Sequence, residues 1–161
     1  MEDVWKKFEK NEITHSAAHH LTAIMDLRKA RGYARNADVA KLLNITSGSA
    51  SINIKSLKQK GLVDEDENKM LLLTPEGERI ADAVESRKII CKAFFEQILK
   101  VSSEQAEIDA CKIEHLISEE TANKLEQFTV SRCAVCNTVP ILTVPILTVP
   151  INTVPIQVVK L

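Results

Sequence analysis

Apolar residues recur every three or four positions along six segments of the chain, a spacing that places them on one side of an α-helix. The predicted helices span residues 12–31, 36–43, 49–60, 75–100, 103–117 and 118–128. Two short apolar runs, 62–63 and 70–73, lie between the third and fourth helices and flank the polar stretch 64–69. This arrangement predicts a β-hairpin with a polar tip.

Residues at the predicted helix ends support these boundaries. Gly32 follows the first helix, where glycine commonly ends a helix. Asn36 is expected to cap the second helix, and Thr74 with Pro75 is expected to begin the fourth. The buried side of the second helix is predicted to carry Val39, Leu42 and Leu43.

The order of these elements predicts a mostly α-helical protein. Three helices followed by a hairpin form a winged helix-turn-helix, which assigns residues 1–74 to a first domain. Residues 75–130 form a second, all-helical domain. Residues 131–161 contain a five-residue repeat, beginning at Thr138-Val139-Pro140-Ile141, with a proline in each unit. We expect this tail to be extended and of low complexity.

Charge divides the chain more clearly than composition does. Hydrophobic residues make up 45% of the chain and the net charge is −1, so the total charge favours no partner. Residues 26–62 contain eight basic and two acidic side chains, whereas residues 101–130 contain seven acidic and two basic ones. Phosphate would suit the first segment and a cation the second.

The third predicted helix is the one that would enter the major groove of DNA. It carries small hydroxyl and amide side chains suited to base edges or phosphates, and lysines suited to phosphates. The candidate DNA-binding residues are Arg35, Ser47, Ser49, Ser51, Asn53, Lys55 and Lys58. Each of them alone is equally compatible with an ordinary solvated helix face, and only the whole segment favours DNA.

A second group of residues has the composition of a transition-metal site. Cys111, Glu114 and His115 share one face of a predicted helix, while His15 and His19 share one face of the first helix. The chain has four histidines, and the metal interpretation uses three of them; the alternative is surface polarity or a satisfied buried histidine. Sulfur, nitrogen and oxygen ligands together suit Fe(II), Zn(II), Co(II) or Ni(II) better than Mn(II).

The remaining cysteines carry less information. Cys133 and Cys136 form a single CxxC, which supplies two ligands and does not close a zinc site. Cys91 is expected in the core. No secretory signal and no apolar stretch of membrane-spanning length is visible, so we expect a cytoplasmic protein that does not enter the membrane.

Taken together, these segments resemble the diphtheria toxin repressor family of metal-dependent regulators. The resemblance rests on residues 16–27, 34–63, 73–77 and 109–118 and covers about residues 12–128. It implies a homodimer that binds a palindromic operator when loaded with metal, with residues 75–130 as the dimerisation and metal-binding domain. It is closest to the iron-responsive branch, but without that branch's SH3-like third domain.

The resemblance also implies a ligand set. The positions that match the family's main site are His19, Cys111, Glu114 and His115, with Fe(II) as the favoured ion. The family's ancillary site falls on Lys88 and Lys92, which are poor ligands when protonated. We therefore expect the ancillary site to be lost or rebuilt with His15. Glu107 is the residue of that site that stays a candidate ligand.

Two other functions stay open on the sequence alone. A winged-helix regulator without metal would use the Cys-Glu-His face only structurally. A metal-dependent hydrolase would need an open coordination position and a nearby general base. No glycine-rich loop or second carboxylate motif supports an enzyme, and we expect a transcriptional repressor of metal-uptake genes instead.

Overall fold

The computed structural model of the chain describes residues 13–132. Within this range the chain forms six helices and one two-stranded antiparallel sheet. The elements are α1 (His15–Arg31), α2 (Asn36–Leu42), α3 (Ser47–Gln59), β1 (Val63–Glu65), β2 (Leu71–Leu73), α4 (Pro75–Gln97), α5 (Ser103–Ile113) and α6 (Glu119–Arg132). This confirms the mostly α-helical class. The repeat tail, Cys133 and Cys136 lie outside the described residues.

Hydroxyl side chains begin five of the helices. Each accepts a hydrogen bond from the backbone N–H three residues further along, which satisfies one of the free amides of the first turn. The capping residues are Thr14, Thr46, Thr74, Ser102 and Ser118. At the other end of α1, Gly32 adopts a left-handed conformation with φ of 81°, and its N–H donates to the carbonyl of Arg28. The predicted start of α4 and end of α1 are therefore confirmed.

The prediction for α2 was wrong in two details. Arg35, without a side-chain cap, precedes the helix, and Asn36 is its first residue. The Asn36 amide instead donates to the carbonyl of Ser47, which joins α2 to the start of α3. Leu42 is exposed, while Leu43 packs against the core. Because α2 has only seven residues, contacts with α3 rather than local preferences set its ends.

Residues 63–73, here called the wing, form a short hairpin held against the first helix. Val63 pairs with Leu73 and Glu65 with Leu71. The N–H of Leu71 donates to the carbonyl of Ala34, and the Arg28 guanidinium donates to the carbonyl of Leu71. These two bonds fix the wing relative to α1.

One core joins α1, α2, α3, the wing and the start of α4. Its most deeply buried large side chains include Leu21, Ile24, Leu57 and Leu71. Gly77 lets α4 approach this core closely, because a Cβ there would lie 2.0 Å from the carbonyl oxygen of Leu62. The long helix is thus packed directly on the winged-helix fold.

The second half of the described chain is organised around α4, which packs against α1 and also against α5 and α6. Cys91 on α4 is fully buried with a free thiol, as expected of a core residue. Helix α5 ends at Ile113, four residues earlier than predicted, and Glu114 follows as its C-cap. The N–H of Leu116 bonds to the carbonyl of Ile113, which tightens the turn after the helix. Within residues 13–132, no helix is long and apolar enough to cross a bilayer.

Candidate metal centre and nucleic-acid interface

Five side chains from α1 and from around the end of α5 lie close together. We call this group the metal cluster; it consists of His15, His19, Cys111, Glu114 and His115. The Sγ atom of Cys111 lies 3.2 Å from Nε2 of His19, and Oε1 of Glu114 lies 3.9 Å from the same nitrogen. The His15 ring is 4.3 Å from that of His19 and 4.9 Å from that of His115, centroid to centroid. The fold therefore brings together residues 92 positions apart in the chain.

The spacing of the cluster is close to that of ligands around one ion. His15, His19 and Cys111 each offer a ligand atom, and these atoms all lie within 4.8 Å of one another. Two atoms bound to the same ion at about 2.0 to 2.3 Å are at most about 4.5 Å apart. Glu114 and His115 are not part of this three-residue group; Glu114 is placed by its distance to His19 and His115 by its ring contact with His15.

Two polar groups of the cluster are buried without adequate compensation. The Glu114 residue is 3% exposed, and burial raises the pKa of its carboxyl to about 7, against the opposing effect of the Lys88 ammonium. Nδ1 of His115 is buried and has no hydrogen-bond partner within the described part of the chain. A bound cation would satisfy both groups, so the residues present fit a metal ion.

Two imidazoles of the cluster are in the form that binds a cation, whereas the thiol is not. Burial lowers the pKa values of His19 and His115, which keeps both imidazoles neutral and able to donate a lone pair. Burial and the neighbouring Glu114 raise the pKa of the Cys111 thiol, which is therefore protonated at neutral pH. Metal binding would displace this proton, so affinity should rise with pH.

Glu107 lies apart from this cluster and has other partners. Its two carboxylate oxygens are each 2.6 Å from an ammonium nitrogen, one of Lys88 and one of Lys92. These hydrogen bonds hold the pKa of the Glu107 carboxyl below its ordinary value. The three side chains line a cavity of about 270 Å³ that also touches His19 and Glu114. Lys88 thus stands between the Glu107 carboxylate and the metal cluster.

The predicted DNA-reading residues lie on and beside α3. Six of the seven are solvent-exposed: Arg35, Ser47, Ser49, Ser51, Lys55 and Lys58. Asn53 is only half-exposed, because its amide donates to the carbonyl of Ser49 and its Oδ1 accepts from the Ser16 hydroxyl on α1. The structure therefore gives Asn53 a role in joining α3 to α1.

Sequence reasoning missed three residues on this face. Ile52 on α3 is 73% exposed, an unusual position for an isoleucine. Glu65 lies in β1 and pairs with Lys58 at 2.9 Å and with Lys69 at 3.1 Å. The sequence placed Glu65 and Lys69 together in a polar tip, and gave no indication that α3 reaches the same carboxylate.

Comparisons with known proteins show what the chain is similar to. Residues 74–136 match the family model described as "Iron dependent repressor, metal binding and dimerisation domain". The transcriptional regulator MntR of Escherichia coli O6:H1 is 34% identical over 110 residues, which cover 68% of this chain and 70% of that protein. The diphtheria toxin repressor of Corynebacterium efficiens is 23% identical over 131 residues, or 80% of this chain and 57% of the repressor.

A solved structure has the same fold. The crystal structure of T. acidophilum IdeR superposes with a TM-score of 0.60 at 27% sequence identity. The superposition covers 72% of this chain but 55% of the IdeR chain, so the present chain spans about half the length of that protein.

Proposed function

The chain belongs to the diphtheria toxin repressor family of metal-dependent regulators, and from that premise we propose that it represses transcription by binding operator DNA when its metal cluster holds a divalent ion. The genes it controls would be those for metal uptake, and it would act in the cytoplasm. The proposal rests above all on one observation. Nε2 of His19, on a helix of the DNA-reading fold, lies 3.2 Å from Sγ of Cys111, on a helix of the second domain.

The proposed ligands are His19, Cys111, Glu114 and His115, with His15 as a further ligand or as a neighbour that orients the His115 ring. The soft thiolate and the imidazoles favour Fe(II) over Mn(II), and Zn(II), Co(II) or Ni(II) would also be accepted. Glu107 is left out of this set, because both of its oxygens already accept hydrogen bonds from lysines.

The position of the cluster suggests how a bound metal ion would affect the orientation of the DNA-binding surface. Helix α1 contributes most of its apolar side chains to the core that also supports α3 and the wing. A bound ion would supply a rigid link between α1 and the end of α5. His15 and His19 would then be fixed relative to Cys111 and Glu114, and the orientation of α3 would be fixed with them.

A homodimer completes the proposal. The matched family model describes a dimerisation domain, and α4 to α6 carry exposed large apolar residues such as Ile89 and Phe128. Two copies joined through this domain would present two α3 helices to two half-sites of one operator. The ion would set the separation of these helices.

The test is binding of metal-stripped protein to fragments of genomic DNA. The titration is run without metal, with Fe(II) under anaerobic conditions, and with Mn(II), Zn(II), Co(II) or Ni(II). We expect specific fragments to be retained only with metal, and retention to be lost in Cys111→Ser. Equal retention with and without metal would leave a winged-helix regulator and exclude the metal switch.

A further inference from the structure

The groove between α3 and the wing holds two lysines on one internal carboxylate. Lys58 projects from α3 and Lys69 from the wing turn, and their ammonium nitrogens lie 2.9 Å and 3.1 Å from the two oxygens of Glu65. The same groove, about 590 Å³ in volume, is also lined by Ser51 and Lys55. Two cations from different elements therefore converge on one point of the proposed DNA-facing surface.

The turn of the wing is built to hold this arrangement. Oδ1 of Asp66 accepts hydrogen bonds from the N–H groups of Asn68 and Met70, each 2.8 Å long. Lys69 adopts a left-handed backbone conformation with φ of 61°. The turn thus directs the Lys69 side chain back toward Glu65, one position before Asp66.

Glu65 is ionised at neutral pH, since its hydrogen bonds to Lys58 and Lys69 hold the pKa of its carboxyl below the ordinary value. The two ion pairs are nevertheless open to solvent. The Lys69 side chain is 84% exposed and that of Lys58 is 39% exposed. Exposed ion pairs are weak and exchange readily with other anions.

We propose that Lys58 and Lys69 form a binding position for a phosphate of the DNA backbone, and that Glu65 is an internal competitor for it. The inference rests on the proposed DNA-binding function. A phosphate brings the same negative charge that Glu65 brings, and it would take over the two ammonium groups as the protein docks. Because the Glu65 carboxylate stays close to both lysines, it reduces the free energy that each lysine–phosphate contact contributes to binding. It thereby limits the affinity for DNA of any sequence.

The test uses a fluorescent duplex of about 30 base pairs and arbitrary sequence, titrated with metal-loaded protein at several salt concentrations. In Glu65→Gln, binding should tighten about fivefold near 0.1 M salt, and the plot of log affinity against log salt should steepen by about one unit. Glu67→Gln is the matched control, because it removes the same charge from an exposed position two residues along the wing. It should change the affinity less than about twofold.

A double-mutant cycle locates the effect. In a protein that already carries Lys58→Gln and Lys69→Gln, the increase in DNA affinity caused by Glu65→Gln should disappear. A gain that persists in that background, or equal gains from Glu65→Gln and Glu67→Gln, would overturn the proposal. The outcome is separable from that of the metal switch, since a gain confined to Glu65→Gln supports the phosphate position even if metal has no effect on binding. A wild-type protein that binds no duplex at any salt would overturn both.

Discussion

The metal cluster and the groove between α3 and the wing, here called the wing groove, each bring together side chains from two parts of the fold. They differ in the burial and the charge of those side chains. In the metal cluster, Glu114 is buried beside neutral imidazoles and a protonated thiol. In the wing groove, Glu65 is accessible and pairs with two lysines. Burial of the first carboxyl favours its protonated form, whereas the second carboxylate is paired with two ammonium groups. We therefore expect the first site to respond to an added ion and the second to adjust the strength of DNA binding.

Burial sets the size of the effect that each site can have. Charges are weakly screened inside the protein, so an ion bound at Glu114 and Cys111 would change the free energy of the whole junction between α1 and α5. Charges at the surface are screened by salt, so the exchange of Glu65 for phosphate changes affinity by a modest factor.

Loss of the Cys111 thiol should have the largest effect. Substitutions beyond the ligands of a metal site commonly cost 10- to 100-fold in affinity, so Cys111→Ser should weaken binding of Fe(II) or Co(II) by more than about 100-fold. Titration against a chelating dye measures the affinity. Sulfur-to-cobalt charge-transfer absorption should appear in the wild type and be absent from the variant.

Cys91→Ala is the control for a general loss of thiol, because Cys91 is a fully buried free thiol on α4 that is not in the proposed ligand set. It should retain both metal binding and the absorption band. If Cys111→Ser kept the band, another sulfur would be the ligand and the proposed set would be wrong.

Glu114→Gln should change the pH dependence of stability of the metal-free protein. The folded-state pKa of about 7 is above the ordinary 4.5, so the fold favours the protonated carboxyl. This contribution is fully present below about pH 4.5 and is lost as the pH rises through about 7. Above that pH the variant should be more stable than wild type by on the order of 2 kcal/mol, and below pH 4.5 the two should be similar.

Urea unfolding of both metal-free proteins from pH 4 to 8 measures this difference. The comparison with wild type cancels the titration of the neighbouring histidines to first order. A stability difference that stays constant across this range would show that Glu114 is ionised in the fold. The same variant should lose metal affinity, which separates stabilisation of the fold from function.

Lys55→Gln should weaken DNA binding by a smaller factor. Lys55 is exposed in the wing groove, and removing one phosphate contact should reduce the salt slope by about one unit and the affinity about threefold to tenfold. Fluorescence anisotropy at several salt concentrations measures both quantities. Lys124→Gln on the exposed side of α6 is the matched control and should leave both unchanged. Equal effects of the two substitutions would show that only net charge is sensed.

Lys88→Gln should have the smallest effect. The Lys88 ammonium lowers the pKa values of His19, Glu114 and Cys111, so its charge reaches the metal cluster. Removing it should strengthen metal binding about threefold.

Lys92→Gln is a close control for this variant, since Lys92 also bonds to Glu107 at 2.6 Å. It should alter metal affinity less than Lys88→Gln does. A larger effect of Lys92→Gln would mean that the bond to Glu107, rather than the charge near the cluster, controls metal affinity.

The features of the fold that depend on residues close together in the sequence could be predicted. Thr74 and Pro75 indicated the start of α4, and Gly32 indicated the end of α1. Each depends on a contact within about one turn of the chain. The winged-helix order followed from the same local patterns.

Features set by distant partners were not predictable from the sequence. Asn36 was expected to cap α2 but bonds to Ser47, and nothing in the sequence indicated that Asn53, a candidate DNA-binding residue, also bonds to Ser16. The position of Glu65 depends on where α3 passes the wing. A single sequence carries no periodic signal for contacts of this kind, because they depend on the angle at which two elements pack.

If metal and DNA bind in a coupled way, the metal affinity of the free protein should differ from that of its DNA complex. Fe(II) or Co(II) is titrated into the protein alone and then into the protein saturated with a DNA fragment recovered from the genomic selection. Linkage requires that DNA tighten metal binding by the same factor by which metal tightens DNA binding, about 5- to 150-fold for typical coupling. Equal metal affinity in the two titrations would contradict the account.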